Sequence, residues 1–320
     1  MANENNFQKA REEVIRGDYK DFYYLAQAQY ADFTWHKDWR DLFNYKFNNA
    51  VKGDCDRSPV ALVTYELIYD YLDLDEKNRC KTKSDRYYSG DFTTSAITSF
   101  KLYLQYKLQE GNVSMEFSKL FALKNGIICT PPSVPEDDYK GLTDYIYKNI
   151  SNSEFVHTVS NELTGEVNSF IYNCFKSGNF IAVPECFNSP RSNFGNWDTV
   201  DRMMWKIYQY FENGKDIEYL KQLFKHDQDE AACNCINWFE DAGINSWEDF
   251  VRVNLLAPFT DDNLVPICLK TGEAIKLPIT EQKYEPMPAN LAECEVFFKT
   301  VNKGIIKRSD LIWDKINKRL

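Results

Sequence analysis

Apolar positions along this chain recur mostly at helical spacing. Val200, Met203, Met204, Ile207, Tyr208 and Phe211 fall at offsets 0, 3, 4, 7, 8 and 11, which predicts an amphipathic helix. Asn196 or Asp198 stands where that helix needs a cap, and Gly214 where it should stop. A second stripe, Ala61, Leu62, Tyr65, Ile68, Tyr69 and Leu72, follows Ser58-Pro59, a capping hydroxyl ahead of a proline whose missing N–H costs nothing in a first turn. Further stripes run through Trp39, Leu42, Phe43, Phe47 and Ala50, and through Ile97, Phe100, Leu104 and Leu108 up to Gly111. Others pass through Leu142, Tyr145, Ile146 and Ile150, and through Leu163, Val167, Phe170, Ile171 and Cys174. Ser246-Trp-Glu-Asp249 reads as a capping box with Asp in the usual Glu or Gln position. Two closing helices are predicted, one near Asn290–Val301 and one capped by Ser309.

The helical period lapses in a few places. Asn179–Pro184 predicts a short strand leading into Glu185–Trp197, which is loop by composition. Leu264–Leu277 predicts a hairpin turning at Thr271-Gly272. Cys129–Asp138 carries three prolines and three acids, so a boundary is placed there. It separates a helical N-terminal subdomain, 1–130, from a mainly helical C-terminal one, 131–320, with one continuous globule as the alternative. The expected class is mainly α with minor antiparallel β: an irregular multi-helix globule with a small C-terminal hairpin. A doubly wound α/β fold is disfavoured because β-branched runs do not recur between helices, and no solenoid repeat is visible.

Composition then narrows the function. The 320 residues carry a net charge of −10, unevenly spread. Residues 1–130 hold 18 basic and 19 acidic side chains, 131–288 hold 13 and 25, and 289–320 hold 7 and 4. An acidic middle repels phosphate backbones, so nucleic acid is expected only through a local island, Lys77, Arg79, Lys81, Lys83 and Arg86, beside Tyr87 and Tyr88. Neighbouring Asp70, Asp73, Asp75 and Glu76 favour reading that island as a solvated loop between helices. The lysines and arginines after Lys299, Arg308 among them, read as cations favoured near a helix C-terminus. No apolar run suits a membrane span and the first residues lack a signal peptide, so no membrane partner and a cytoplasmic location are expected. Nine cysteines without a tight framework then read as free thiols. An aromatic content of 15% implies a bulky core.

Candidate chemistry concentrates in the loop before the 200–211 helix. Arg191 offers a planar fork for a carboxylate or phosphate, Asn188 and Asn193 offer neutral donors and acceptors, and Trp197 offers a ring. Asp198 and Asp201 sit where a helix N-terminus stabilises carboxylates; alternatively Asp198 simply caps, Asp201 is solvated, and Arg191 pairs with either. Metal is not expected: Cys233-Asn-Cys235 near His226 lacks a second ligand pair, and Cys235 falls on an apolar face. His36, His157 and His226 lack a nucleophile context, and no phosphate-binding glycine loop is present, so no cofactor is expected.

Gly178-Asn-Phe-Ile-Ala-Val-Pro184, Asn188-Ser-Pro-Arg191, Phe194-Gly-Asn-Trp-Asp198 and Ile207-Tyr208 together resemble an uncharacterised bacterial family. Its members carry a GNF, two apolar residues, proline, then N-x-x-R and D before an amphipathic helix. The resemblance covers the C-terminal half, extends to Trp247–Asn254, and implies a shared fold and loop without an assigned activity. These features favour an acidic, intracellular bacterial protein acting as a binding or interaction module for a protein or small anionic ligand. The alternatives are an enzyme acting on a nucleotide or nucleic acid through Arg191 with Asp198 or Asp201, and a self-assembling structural or defence-accessory protein.

Overall fold

A computed structural model describes residues 2–16, 58–94, 103, 165–173, 176–185, 187 and 199–320. Helix α1 (Ala2–Ile15) buries Ala10 and Val14, one turn apart, beside α2 (Pro59–Ile68), and Arg11 of α1 pairs with Glu66 of α2. The Ser58 hydroxyl accepts a hydrogen bond from Ala61 N (3.3 Å), and Pro59 opens α2 as expected.

The basic island after α2 is not a loop between helices. It turns back and forth as β1 (Asp73–Leu74), β2 (Cys80–Lys81) and β3 (Tyr87–Phe92), an antiparallel meander. Its strands of two residues are too short to show alternation. The punctuation is carried by Asn78 and Asp85, which adopt φ of 57° and 58°, the left-handed region these short polar residues tolerate. Strand β4 (Phe180–Pro184), read correctly as a strand, pairs antiparallel with β3 from Tyr88↔Pro184 to Phe92↔Phe180. All five of its residues are buried, and the sheet order is β1-β2-β3-β4. The described parts of 1–130 and 131–320 therefore share a sheet, and one cluster of buried apolar residues extends from Ala10 to Ile316. The segment 129–138, where a boundary was expected, lies outside the described residues.

Helix α3 (Gly165–Asn173) and a 3-10 turn (Ser177–Asn179) precede β4. After it come α4 (Val200–Glu212), α5 (Ile217–Lys221), α6 (Gln228–Asp241) and α7 (Trp247–Val253). A 3-10 turn (Ala257–Phe259), the hairpin of β5 (Ile267–Cys268) and β6 (Glu273–Ala274), and α8 (Leu291–Arg319) complete the chain. Among the described residues this is a mainly α fold with small antiparallel sheets, and no helix is long and apolar enough to cross a membrane.

Local signals placed several of these boundaries. Ser246 caps α7 by accepting from Asp249 N (3.2 Å), while the Asp249 carboxylate accepts from Asn245 N (3.1 Å). Gly214 ends α4 with φ of 71°, and the N-cap position of α4 is Thr199; Asn196 and Asp198, expected to cap it, lie outside the described residues. The two closing helices are one helix of 29 residues, started by Asn290, whose side chain accepts from Glu293 N (2.9 Å). Ser309, expected at a helix start, sits in its middle. Its hydroxyl donates to Ile305 O (2.9 Å), one turn back, and accepts from Gly178 N (3.0 Å).

Helix α8 is the element on which the others converge: α3, the 177–179 turn, the 257–259 turn and α2 all pack on it. Arg308 explains part of this. Read from the sequence as one of a run of cations near the C-terminus, it is completely buried. Its guanidinium donates to Asn254 O (3.0 Å), Gly178 O (2.8 Å) and Phe180 O (2.6 Å), and Nη2 lies 3.4 Å from the Tyr69 hydroxyl. Arg319 keeps the simpler role, donating to Glu66 O and Leu67 O at the C-terminal end of α2.

Candidate functional site

Of the residues proposed from the sequence, Asn188, Arg191, Asn193, Trp197 and Asp198 lie outside the described residues. The described part of the same motif is architectural. Gly178 lies against the backbone of α8, with no room for a Cβ. The Asn179 side chain accepts from Thr93 Oγ1 (2.7 Å) and Thr94 N (3.1 Å) and donates to Thr94 O (3.2 Å), tying the end of β3 to the start of β4.

Asp201 is described, and it faces inward. It occupies the first turn of α4 with 1% exposure, so it is not the solvated carboxylate considered above. One oxygen accepts from Arg202 N (2.9 Å); the other accepts from Leu269 N (3.0 Å) and the Tyr284 hydroxyl (2.7 Å). Burial raises its carboxyl above the usual range, against the pull of the Tyr284 and Leu269 bonds. Burial and the same carboxylate also push the Tyr284 phenol up, so the tyrosine stays the donor. Asp201 thus positions the hairpin and the segment after it.

The polar side of α4 continues this work. Lys206, also 1% exposed, donates from Nζ to Gln209 Oε1 (3.0 Å), Gln222 Oε1 (2.7 Å) and Gln282 O (2.9 Å). Gln209 Nε2 donates to Ile279 O (2.8 Å) and Glu281 O (2.6 Å), and Asn213 Nδ2 reaches Ile279 O (3.3 Å). Carbonyls of an irregular segment, 279–284, are therefore held at successive points by one helix. These buried groups were missed because the apolar stripe of α4 left them on what looked like a solvent face. Trp205, set among them, was the available signal that this face is covered as well.

Three neutral acceptors match the three protons of the Lys206 ammonium, yet among the described residues no carboxylate lies within salt-bridge distance of it. Burial lowers its pKa from 10.5 to about 8, and the Arg202 charge adds to that. The folded state then sheds this proton before the unfolded state does. Stability should therefore rise with pH between about 8 and 10.5 and be unaffected by this group below that window. Urea unfolding of the wild type and of Lys206→Met across that window is the check. The stability difference between them should shift in favour of the wild type as pH increases; a constant difference would mean that Lys206 titrates normally.

The held segment and the β5–β6 hairpin enclose an open cleft of about 380 Å³. Gly272 turns the hairpin with φ of 70°, close to Thr300 and Val296 of α8. Cys268, Ile275 and Tyr284 line the cleft and pack on Trp205 beneath it, while Leu277, 41% exposed, forms part of the wall. Lys270, Lys276 and Lys283 also line it, with Glu273 and Glu285. Lys276 is paired with Glu273 (2.7 Å), and Lys270 Nζ makes one long contact to Met287 O (3.4 Å). Lys283 meets no carboxylate within salt-bridge distance among the described residues.

The other candidates dissolve into the fold. Arg79 pairs with Asp75 (2.8 Å) and lies 4.0 Å over the Tyr87 ring, so that ring already stacks on a cation. Lys81 pairs with Asp85 (2.6 Å), and Arg86 with Asp241 (2.9 Å), to which Tyr88 also donates. Lys77 and Lys83 are the exposed remainder of that island. Cys235 is buried on α6 while Cys233 is exposed, and no group of three or more His, Cys, Asp or Glu residues suited to a metal occurs among the described residues. His36 and His157 lie outside them. Compared with protein-family models, with curated proteins and with solved structures, the chain matches none.

Proposed function

We propose that this protein is a binding module whose recognition surface is the cleft between the β5–β6 hairpin and residues 283–285. One observation carries the reading: an open, partly apolar cleft has its floor tied from behind by a buried carboxylate, Asp201, to a helix whose other polar groups hold the adjoining wall. A preformed concave surface with an apolar floor and a few charged groups at its rim is the usual form of a small-ligand site. The enzyme reading has less support at Asp201, because an acid or base must reach the proton it transfers and both oxygens here are occupied by the protein's own donors. A cytoplasmic location is part of the proposal. It is supported by five free cysteines among the described residues, of which Cys80 and Cys294 have thiols pushed up to about 12 by burial and are correspondingly unreactive.

The test uses the neutral fluorophore N-phenyl-1-naphthylamine. The wild type should bind it saturably, with a blue-shifted emission, and Ala274→Trp, which fills the cleft from β6, should weaken binding about tenfold or more while leaving the urea midpoint unchanged. Equal binding by both proteins, or none by the wild type, would remove the cleft as the recognition surface.

A further inference from the structure

We infer that the cleft takes a small amphiphilic anion, an apolar body ending in one phosphate or carboxylate group, with Lys270 and Lys283 receiving the head. This rests on the reading of the cleft as the recognition surface and adds the class of ligand. Three observations lead to it.

The first is where the cations are. Residues 131–288 contain 13 basic against 25 acidic side chains, yet three of those 13 line one cleft. Lys276 is neutralised by Glu273, which leaves Lys270 on the hairpin and Lys283 on the facing segment with no ion pair among the described residues. Apart from Glu273, the cleft is lined by one carboxylate, Glu285, against these two lysines. Both residues line the one cleft, and two ammonium point charges there suit a single compact anionic head. Lysine ammonium meets phosphate or carboxylate as a point charge, without the planar fork that arginine would bring.

The second is the surface beneath those charges. Leu277 is exposed in the wall, above a floor to which the largely buried Ile275 and Tyr284 contribute, and a fully hydrated inorganic anion would leave this apolar area uncovered. An apolar body is required to cover it. At about 380 Å³ the space is at the small end of ligand sites, which fits a short chain or a single ring system.

The third is the field around the cleft. The acidic surplus of 131–288 disfavours a polyanion, whose further charges would lie over it, and admits a ligand with one charged end. Nucleic acid is excluded from the cleft on that ground, as is an extended acidic peptide.

Competition against N-phenyl-1-naphthylamine tests the assignment on the full chain. Octyl phosphate and octanoate should displace the dye at lower concentration than octanol, and added salt should narrow the gap. Lys270→Gln and Lys283→Gln should each weaken the two anions about threefold, and together about tenfold, without changing octanol or the dye. Octanol competing as well as the anions, or anion affinity unchanged in the double variant, would overturn the anion assignment while leaving dye binding in the cleft, and so the broader reading, intact. Failure of the dye to distinguish wild type from Ala274→Trp would instead remove the broader reading. The free ligand is separated from a lipid head group by sedimentation with phosphatidylcholine vesicles containing phosphatidic acid. The protein should stay in the supernatant, and lysine-dependent pelleting would move the site to a bilayer surface and overturn the small-ligand assignment.

Discussion

Arg308→Met should cost the fold about 3 kcal/mol or more, a large share of the stability of an ordinary domain. Among the described residues the guanidinium has no carboxylate in salt-bridge range; its charge is spread over three backbone carbonyls and one phenol, drawn from three places in the chain. Burial lowers its pKa from the usual arginine value, so methionine relieves some desolvation. That relief is smaller than the loss. The carbonyls of Asn254, Gly178 and Phe180 become buried acceptors without this donor, at about 1–3 kcal/mol for each one left unsatisfied. The expected result is a lower urea midpoint and accelerated hydrogen exchange at β4 and at the C-terminal end of α7, since both are held through that side chain. Arg308→Lys keeps the charge but lacks the fork, and should fall between wild type and methionine. A loss below about 1 kcal/mol for methionine would show that other donors take over the carbonyls.

The second large effect is expected from the smallest change. In Gly178→Ala, the added Cβ would fall well inside van der Waals distance of Ile305 O and 2.8 Å from Ser309 N, both backbone atoms of α8. Side chains can rotate away from an added methyl; a helix backbone cannot. Either α8 moves off the 177–179 turn or the turn moves off α8, and the Arg308 and Ser309 bonds to Gly178 stretch in both cases. A destabilisation of about 3 kcal/mol is expected, at the upper end of overpacking effects. Gly214→Ala provides the comparison. That glycine has φ of 71° and open space around its absent Cβ, so alanine there should cost only about 1 kcal/mol, through backbone strain. Equal losses at the two positions would mean that α8 yields readily and that the contact at Gly178 does not restrict it.

Both experiments bear on the stretch from Gly178 to Pro184, which stood out in the sequence beside the candidate loop. The glycine admits α8, the asparagine joins two strands, and the following apolar residues form a fully buried strand. Such a segment stands out because several long-range contacts restrict it at once. The chemistry proposed for the protein lies elsewhere, about 90 residues further along the chain, in a cleft made by a two-residue-strand hairpin and an irregular segment.

What the amino-acid order determined by itself is whatever depends on neighbours within a turn or two. Ser58-Pro59 and Ser246 to Asp249 start helices because a side-chain oxygen reaches an N–H three residues away. Thr271-Gly272 turns a hairpin because glycine accepts φ of 70°. The mainly α class follows from the sum of such features and the helical spacing of the apolar residues. Tertiary structure alone decided which polar residues are inside. Asp201, Lys206 and Arg308 carry the same charges as any surface residue. Their burial depends on Leu269, Tyr284, Gln282, Asn254 and Gly178, partners 54 to 130 residues distant. The continuity of α8 through Ser309 was decided in the same way, because the groups that accommodate that serine include a backbone N–H from before β4. The cleft belongs wholly to this second kind: its walls are irregular backbone with no period to read, held in place by a helix face whose polar residues are indistinguishable, in sequence, from residues facing water.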